Sequence, residues 1–367
     1  MNEKSKNILT VALSSAVIFG FFSASILSPD RLYSLSERRV LAQKPAASVE
    51  SVLSGKYMSE FESHALDQFP LRDHFRAIKA YTSKYILHQK DNNGLYVING
   101  NLSKLEYPLN TARVHSSTDK MREIYASCIS GSDCSVYLSV IPDKNYFLAP
   151  LGNYPTMDYA TLLKLIRDET DFAKYIDIFP LLSLDDYYKT DQHWKQESIH
   201  DVAQALVQNM GVHISADFEQ HTLDVPFYGA YCGQAALKFE PDVIKYLTND
   251  VLNDCLVTNY DTGKPVSSFV YDIEKASGKD PYDLFLSGSS ALMTIENPNS
   301  SSDEELVIFR DSFGSSIAPL LVSGYFKITL IDLRYISSKD IPDYVNFGGQ
   351  DVLFLYSTLI LNNGISM

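Results

Sequence analysis

The 367-residue chain has one tryptophan, four cysteines and no Cys-x-x-Cys pair. Lacking that pair, it offers no thiolate metal site of the common structural type. It also lacks any Lys/Arg cluster, and its formal net charge is −14. Such a surface repels phosphate backbones, which excludes general nucleic-acid binding and favours a neutral or cationic polymer or a small substrate. No internal repeat is visible. Tyrosine (24) and phenylalanine (19) are abundant instead, as in sugar-binding surfaces and as in well-packed cores.

Charge is absent from one long stretch as well. Residues Ile8 to Pro29 carry none, and Lys4 and Lys6 precede them. The run is about the length of a bilayer-spanning helix, and the positive-inside rule leaves the rest of the chain outside. It reads as a signal anchor; a cleaved signal peptide with Ser23-Ala24-Ser25 at the cleavage site is the alternative. Either way the body is exported, to the cell membrane as a single-pass protein or secreted. In that compartment the even cysteine count points to disulfides among Cys128, Cys134, Cys232 and Cys255, with three connectivities open and buried free thiols as the alternative.

Residues 1–29 thus form a cytoplasmic tip and anchor, 30–50 a polar stalk, and 51–367 one domain with an insertion at about 215–300. Helical spacing runs from Tyr57 to His88 and from Tyr159 to Tyr175, and an amphipathic helix is expected over 194–210. Leu95-Tyr96-Val97-Ile98 before Asn99-Gly100 is a strand entering a tight hairpin. Ser135–Ile141 is a near-continuous apolar run, as in a buried parallel strand. Further strands are expected near 176–179, 306–309, 328–331 and 352–356, with a short Pro319-interrupted helix over 316–324. The alternation predicts an α/β fold, a mostly parallel sheet covered by helices on both faces.

Two clusters carry chemistry. Asp191-Gln192-His193-Trp194 sits on a loop before the 194–210 helix. Serine chemistry needs a base, and the base needs a carboxylate to hold its tautomer; Asp191 and His193 supply both, although Thr190 or Asp191 could simply cap the helix. Arg310-Asp311-Ser312-Phe313-Gly314 follows the 306–309 strand at its carboxyl end, where ligands of open α/β sheets bind. Ser312 there is a candidate nucleophile, or a cap for the next helix. A metal site from Asp191, His193 and His200 has no further cluster to complete it.

Together, Asp-x-His-Trp and Asp-Ser-Phe-Gly resemble the SGNH-like domains of the alginate O-acetyltransferase type, and more closely the bacterial DHHW family. Ser54-Gly55-Lys56-Tyr57, Asp67-Gln68-Phe69-Pro70-Leu71-Arg72-Asp73, Pro142-Asp143-Lys144, Phe227-Tyr228-Gly229 and Asp332-Leu333-Arg334-Tyr335 extend the resemblance over most of 50–360. Gln192 stands where the motif has its first histidine, and Arg310 where SGNH blocks have glycine. The resemblance implies a three-layer α/β/α SGNH-like fold, with Ser312 as nucleophile, His193 as base and Asp191 as its orienting partner. The backbone N–H of Gly288 is a candidate oxyanion donor and Arg334 a candidate substrate contact. No metal or cofactor is implied. The implied activity is extracytoplasmic O-acetyl transfer to a cell-surface or secreted polysaccharide, with a multi-pass membrane O-acyltransferase as the partner that delivers acyl groups. A carbohydrate acetyl esterase and a noncatalytic polysaccharide-binding surface protein are the alternatives.

Overall fold

The Val/Ile/Leu-rich runs pair side by side, as strands buried on both faces should. In the computed structural model, which describes residues 2–365, Lys327–Ile331, Glu305–Arg310, Asp351–Ser357, Ser135–Ile141 and Lys174–Tyr175 form a parallel array in that order. Leu292–Glu296, Leu256–Asn259 and Val266–Ser268 extend it antiparallel from the Lys327–Ile331 side, completing an eight-stranded sheet. The fold is α/β with a mostly parallel sheet, as expected.

Strand alternation divides the core between the two faces. Leu306, Ile308, Leu353 and Leu355 pack on one side with His200–Met210 and Gly314–Leu321, whose buried members include Val202, Leu206, Ile317 and Leu320. Val307, Phe309, Val352 and Phe354 pack on the other with Thr111–Ile124 and Tyr159–Glu169, through Val114, Met121, Leu162 and Ile166. With apolar burial stabilising by roughly 25 cal/mol per Å², these two layers dominate the hydrophobic term. The Leu95–Ile98 and Asn101–Lys104 hairpin turns at Asn99 and Gly100, both at positive φ (49° and 78°), the conformation an Asn-Gly turn supplies.

Several elements differ from the pattern read in sequence, among them the helix expected over Tyr159–Tyr175, which ends at Glu169. The strand expected at 176–179 lies at Lys174–Tyr175, and Phe179–Leu181 is instead a 3₁₀ turn opened by Pro180. The 194–210 helix begins only at His200, after a separate 3₁₀ turn at Gln196–Ser198. Residues 215–300 hold a Glu219–Phe227 and Asp242–Thr248 hairpin, but also the three antiparallel sheet strands.

The chain divides into two compact units, Met1–Asn93 with Cys232–Lys238, and Gly94–Tyr231 with Phe239–Met367. The first begins with the 25-residue Glu3–Leu27 helix, long and apolar enough to cross a membrane and compatible with an anchor or a signal sequence. It also contains Lys56–Asp67 and Arg72–Tyr81. Asp67 pins the chain there: it accepts from both Arg39 guanidinium nitrogens (2.8 and 2.5 Å) and from Ala42 N (2.8 Å). The hydrogen bond from Arg39 above all holds its carboxyl down at about 2.

The cysteines correct an expectation, for none forms a disulfide. Cys134 Sγ donates to Gln350 Oε1 (3.4 Å) and Cys255 Sγ to Val251 O (3.1 Å), while Cys232 Sγ lies against Leu237 O (3.8 Å). Cys128 packs beside the Val307–Phe354 core face with Ser127 Oγ at 3.4 Å. Local partners and packing engage each sulfur, and burial pushes the Cys255 thiol up to about 12, which makes it inert.

Candidate active site

The serine comes from the sheet. Glu305–Arg310 ends between two parallel neighbours, and the chain turns at Asp311-Ser312-Phe313 into a helix whose eight residues are all buried. Asp311 ties this turn down. Its Oδ1 accepts from Phe313 N (3.0 Å), and its Oδ2 from Ser357 N (2.9 Å) and Ser357 Oγ (2.6 Å) on the adjoining strand. Gly314 is required by proximity, since a Cβ there would lie 2.7 Å from Arg310 Cβ and 2.9 Å from its Cγ. Ser312 is half-buried, and no cap bond of the Gly314–Leu321 helix uses its side chain.

The histidine comes from a loop. Residues 187–194 double back through an isolated bridge between Tyr187 and Trp194. Lys144, buried to 2% exposure, donates to the carbonyls of Tyr188 (2.7 Å), Lys189 (3.0 Å) and Asp191 (3.0 Å). Asp242 takes Lys189 N (2.9 Å), Thr190 N (2.7 Å) and Thr190 Oγ1 (2.6 Å). The Phe227-Tyr228-Gly229 motif closes over the loop: Gly229 N donates to Thr190 Oγ1 (2.8 Å), and a Cβ on Gly229 would lie 2.3 Å from Thr190 O. Only glycine permits so close a backbone approach.

The loop and the turn meet in one hydrogen-bonded line. Asp191 Oδ2 is 2.6 Å from His193 Nδ1, and His193 Nε2 is 2.7 Å from Ser312 Oγ. Asp191 Oδ1 accepts from Ala230 N (2.7 Å) and its Oδ2 from His193 N (3.2 Å), so the carboxylate is fixed at both oxygens. Asp191 and His193 are 1% and 7% exposed. The imidazole stacks flat on Tyr282, centroids 3.9 Å apart at 8°, with Phe313 tilted against it at 4.9 Å. With Nδ1 facing a carboxylate, Nε2 is left to accept the serine proton, the arrangement that activates a hydroxyl at neutral pH. Neither capping alternative describes these residues: the His200–Met210 helix is preceded by Ile199 rather than Thr190 or Asp191, and Ser312 Oγ lies on His193.

Below the line, Trp194 Nε1 and Tyr282 OH both donate to Ser316 Oγ (2.8 and 2.9 Å). Gln196 Nε2 donates to Ser316 O (2.8 Å). Burial raises the Tyr282 hydroxyl far above its ordinary value, so it stays a neutral donor. Burial likewise pushes Lys144 down to about 7, against the pull of Asp191 and Asp242.

The other two expected residues lie differently. The Gly288 N–H is spent on Phe285 O (3.1 Å), inside a turn whose positive φ of 88° suits glycine, so it is not available to an oxyanion. Arg334 directs Nε and Nη2 onto Asp332 (2.9 and 2.6 Å), a bidentate ion pair following the Lys327–Ile331 strand. Arg310 is fully buried, and burial lowers its pKa. Among the described residues, no three His, Cys, Asp or Glu side chains are grouped to hold a metal. Sequence reasoning assigned no role to Lys144, though it marked the motif, and missed Asp242, Tyr282 and Ser316. None of these three stands in a recognisable pattern.

Residues 182–331 match the DHHW protein family. The match takes in Asp191, His193 and Ser312 and covers less than half of the chain. Among solved structures, a DHHW family protein from Eubacterium siraeum is similar at TM-score 0.59 and 21% identity, over 75% of this chain and 95% of its own. Bacillus cereus PatB1 is similar at TM-score 0.60 and 18% identity, over 74% and 97%. PatB1 with a sulfonyl adduct is similar at TM-score 0.57 and 18% identity, over 73% and 95%. At these identities the likeness establishes the fold that DHHW proteins and PatB1 share. No curated protein sequence matches the chain.

Proposed function

We propose that the chain is a serine O-acyltransferase acting outside the cytoplasm, passing acetyl groups to a cell-surface or secreted polysaccharide. The observation that carries this reading is the line Asp191 Oδ2–His193 Nδ1–Nε2–Ser312 Oγ, at 2.6 and 2.7 Å. Ser312 Oγ attacks the acyl carbonyl as His193 takes its proton, and Asp191 stabilises the imidazolium. The tetrahedral oxyanion needs a preorganised donor; the Ser312 N–H is available for it, making no backbone hydrogen bond among the described residues. Collapse expels the donor's leaving group with the proton from His193. A sugar hydroxyl, deprotonated by His193, then takes the acetyl from Ser312. Water in place of the sugar makes the same site an esterase.

The apolar Glu3–Leu27 helix supports the extracytoplasmic placement, and the motifs shared with the alginate-type acetyltransferases support acetyl and polysaccharide as substrates. A single candidate span among the described residues gives no route for acyl groups across a bilayer, so a multi-pass membrane O-acyltransferase is the proposed supplier. PatB1's structure with a sulfonyl adduct is in keeping with a site open to electrophiles.

The test is intact mass after exposure to a chromogenic acetyl ester, wild type beside Ser312→Ala. The expected result is hydrolysis and a trapped acetyl adduct in wild type, both lost in the variant. Equal ester hydrolysis by the folded variant would remove the serine mechanism.

A further inference from the structure

Resting on the serine-chemistry reading, the geometry points to Lys144 as the positioning residue of the catalytic base: its ammonium clamps the loop that holds Asp191 and His193, and loss of its proton releases them. An ammonium has three donors and no acceptor. Here the three receptors are the carbonyls of Tyr188, Lys189 and Asp191, at 2.7, 3.0 and 3.0 Å. They bracket the turn that ends in the Asp191–His193 pair. The neutral amine keeps two protons and turns a lone pair toward the third carbonyl, so one strut becomes a repulsion.

The site is built for the charged form. Three carbonyl dipoles converge on it, and the Tyr231 ring lies 5.8 Å from Nζ. The charged groups acting on it are Asp191 on the loop and Asp242 on the Asp242–Thr248 strand, which favour the proton, and Lys195 past the tryptophan, which opposes it. The neighbouring Asp143 carboxylate is occupied by Asn145 N, Tyr159 OH and Thr358 Oγ1. Against this stands near-complete burial, which brings the ammonium to about 7 from 10.5. Clamp and titration therefore fall within the working range, and the rate should fall as pH rises above neutrality.

The sign for stability is opposite. Between about 7 and 10.5 the unfolded chain holds this proton and the folded chain does not, so this group makes folding more favourable as pH rises through that window. A residue that served only the fold would give activity and stability moving together; this one separates them.

The test uses the full chain in detergent or nanodiscs, reading the downfield imidazole proton of His193 by NMR and ester turnover across pH. In wild type the imidazole signal and kcat should decline together above neutrality, while the thermal midpoint does not fall with them. Lys144→Met should lose the signal at all pH values and drop kcat about 100-fold with KM little changed, the scale of a misplaced catalytic group. Lysine replaced at 144 by γ-thialysine, an ammonium of nearly the same shape but more acidic, should keep activity and move the alkaline decline to lower pH. If the Met variant does not fold, the thialysine protein decides. A folded Met variant with the wild-type signal, or a thialysine protein with an unmoved decline, overturns the inference. Wild type without turnover removes the enzyme reading, and the imidazole signal still judges the clamp.

Discussion

The two arms of the site are held by different physics. Ser312 follows a strand paired on both sides and precedes a helix with every residue buried; packing and covalent topology place it, with Asp311 tying the turn to the next strand. The loop carrying Asp191 and His193 has no regular structure beyond one bridge. A buried ammonium, an aspartate from a separate hairpin and a close-packed glycine hold it. Apolar packing resists displacement through many weak contacts, whereas a polar strut is one strong contact whose partner, once removed, leaves a buried group unpaired. Loss of a polar strut should therefore displace His193 more than it displaces Ser312.

The largest effect that sharpens this contrast lies within the base arm. Asp191→Asn keeps the shape but presents an amide to Nδ1, which can flip the tautomer and turn Nε2 from acceptor to donor. Acylation of Ser312 should fall about 10³–10⁴-fold, with thermal stability nearly unchanged. A loss below tenfold in single-turnover acylation would mean that Asp191 is a structural anchor.

Next comes a matched pair, one aspartate from each arm. Asp242→Ala unpairs Lys189 N, Thr190 N and Thr190 Oγ1, and should lower kcat about 10–100-fold, the usual cost of losing an outer support. Asp311→Ala unpairs Phe313 N, Ser357 N and Ser357 Oγ in the sheet, where each orphaned group costs about 1–3 kcal/mol. Its damage should register first in the unfolding midpoint. Should Asp242→Ala melt early while Asp311→Ala stays stable and slow, the division between polar and packed arms is the wrong one.

The same division governs what the sequence revealed. Runs such as Leu306–Phe309 and Val352–Tyr356 announce a buried parallel sheet, because apolar continuity is itself the physical cause. The Ser312 turn was legible for that reason, and Asp191 with His193 because their spacing is local. Lys144 and Asp242 could not be given roles, since their partners lie 44 to 53 positions away and nothing in composition records which carbonyl a lysine will meet. The boundaries at 174–181 and 196–200 slipped where 3₁₀ turns replace the apolar period. The disulfides failed because cysteine parity carries no distance, and the Gly288 assignment because a turn had already taken its N–H.

The smallest effect concerns a side chain that joins the arms beneath the His193–Ser312 contact. Ser316, on the serine's helix, accepts from Trp194 of the base loop and from Tyr282, the ring under His193. Ser316→Ala leaves two buried donors unpaired, so the fold should weaken by about 2–6 kcal/mol in denaturant titration. Lys144, Asp242 and Gly229 still hold the loop, so kcat should drop only a few-fold. A loss rivalling that of Asp242→Ala would mean that the arms are positioned against each other through Ser316 rather than separately. Packing of the nucleophile would then have set the place of the base as well.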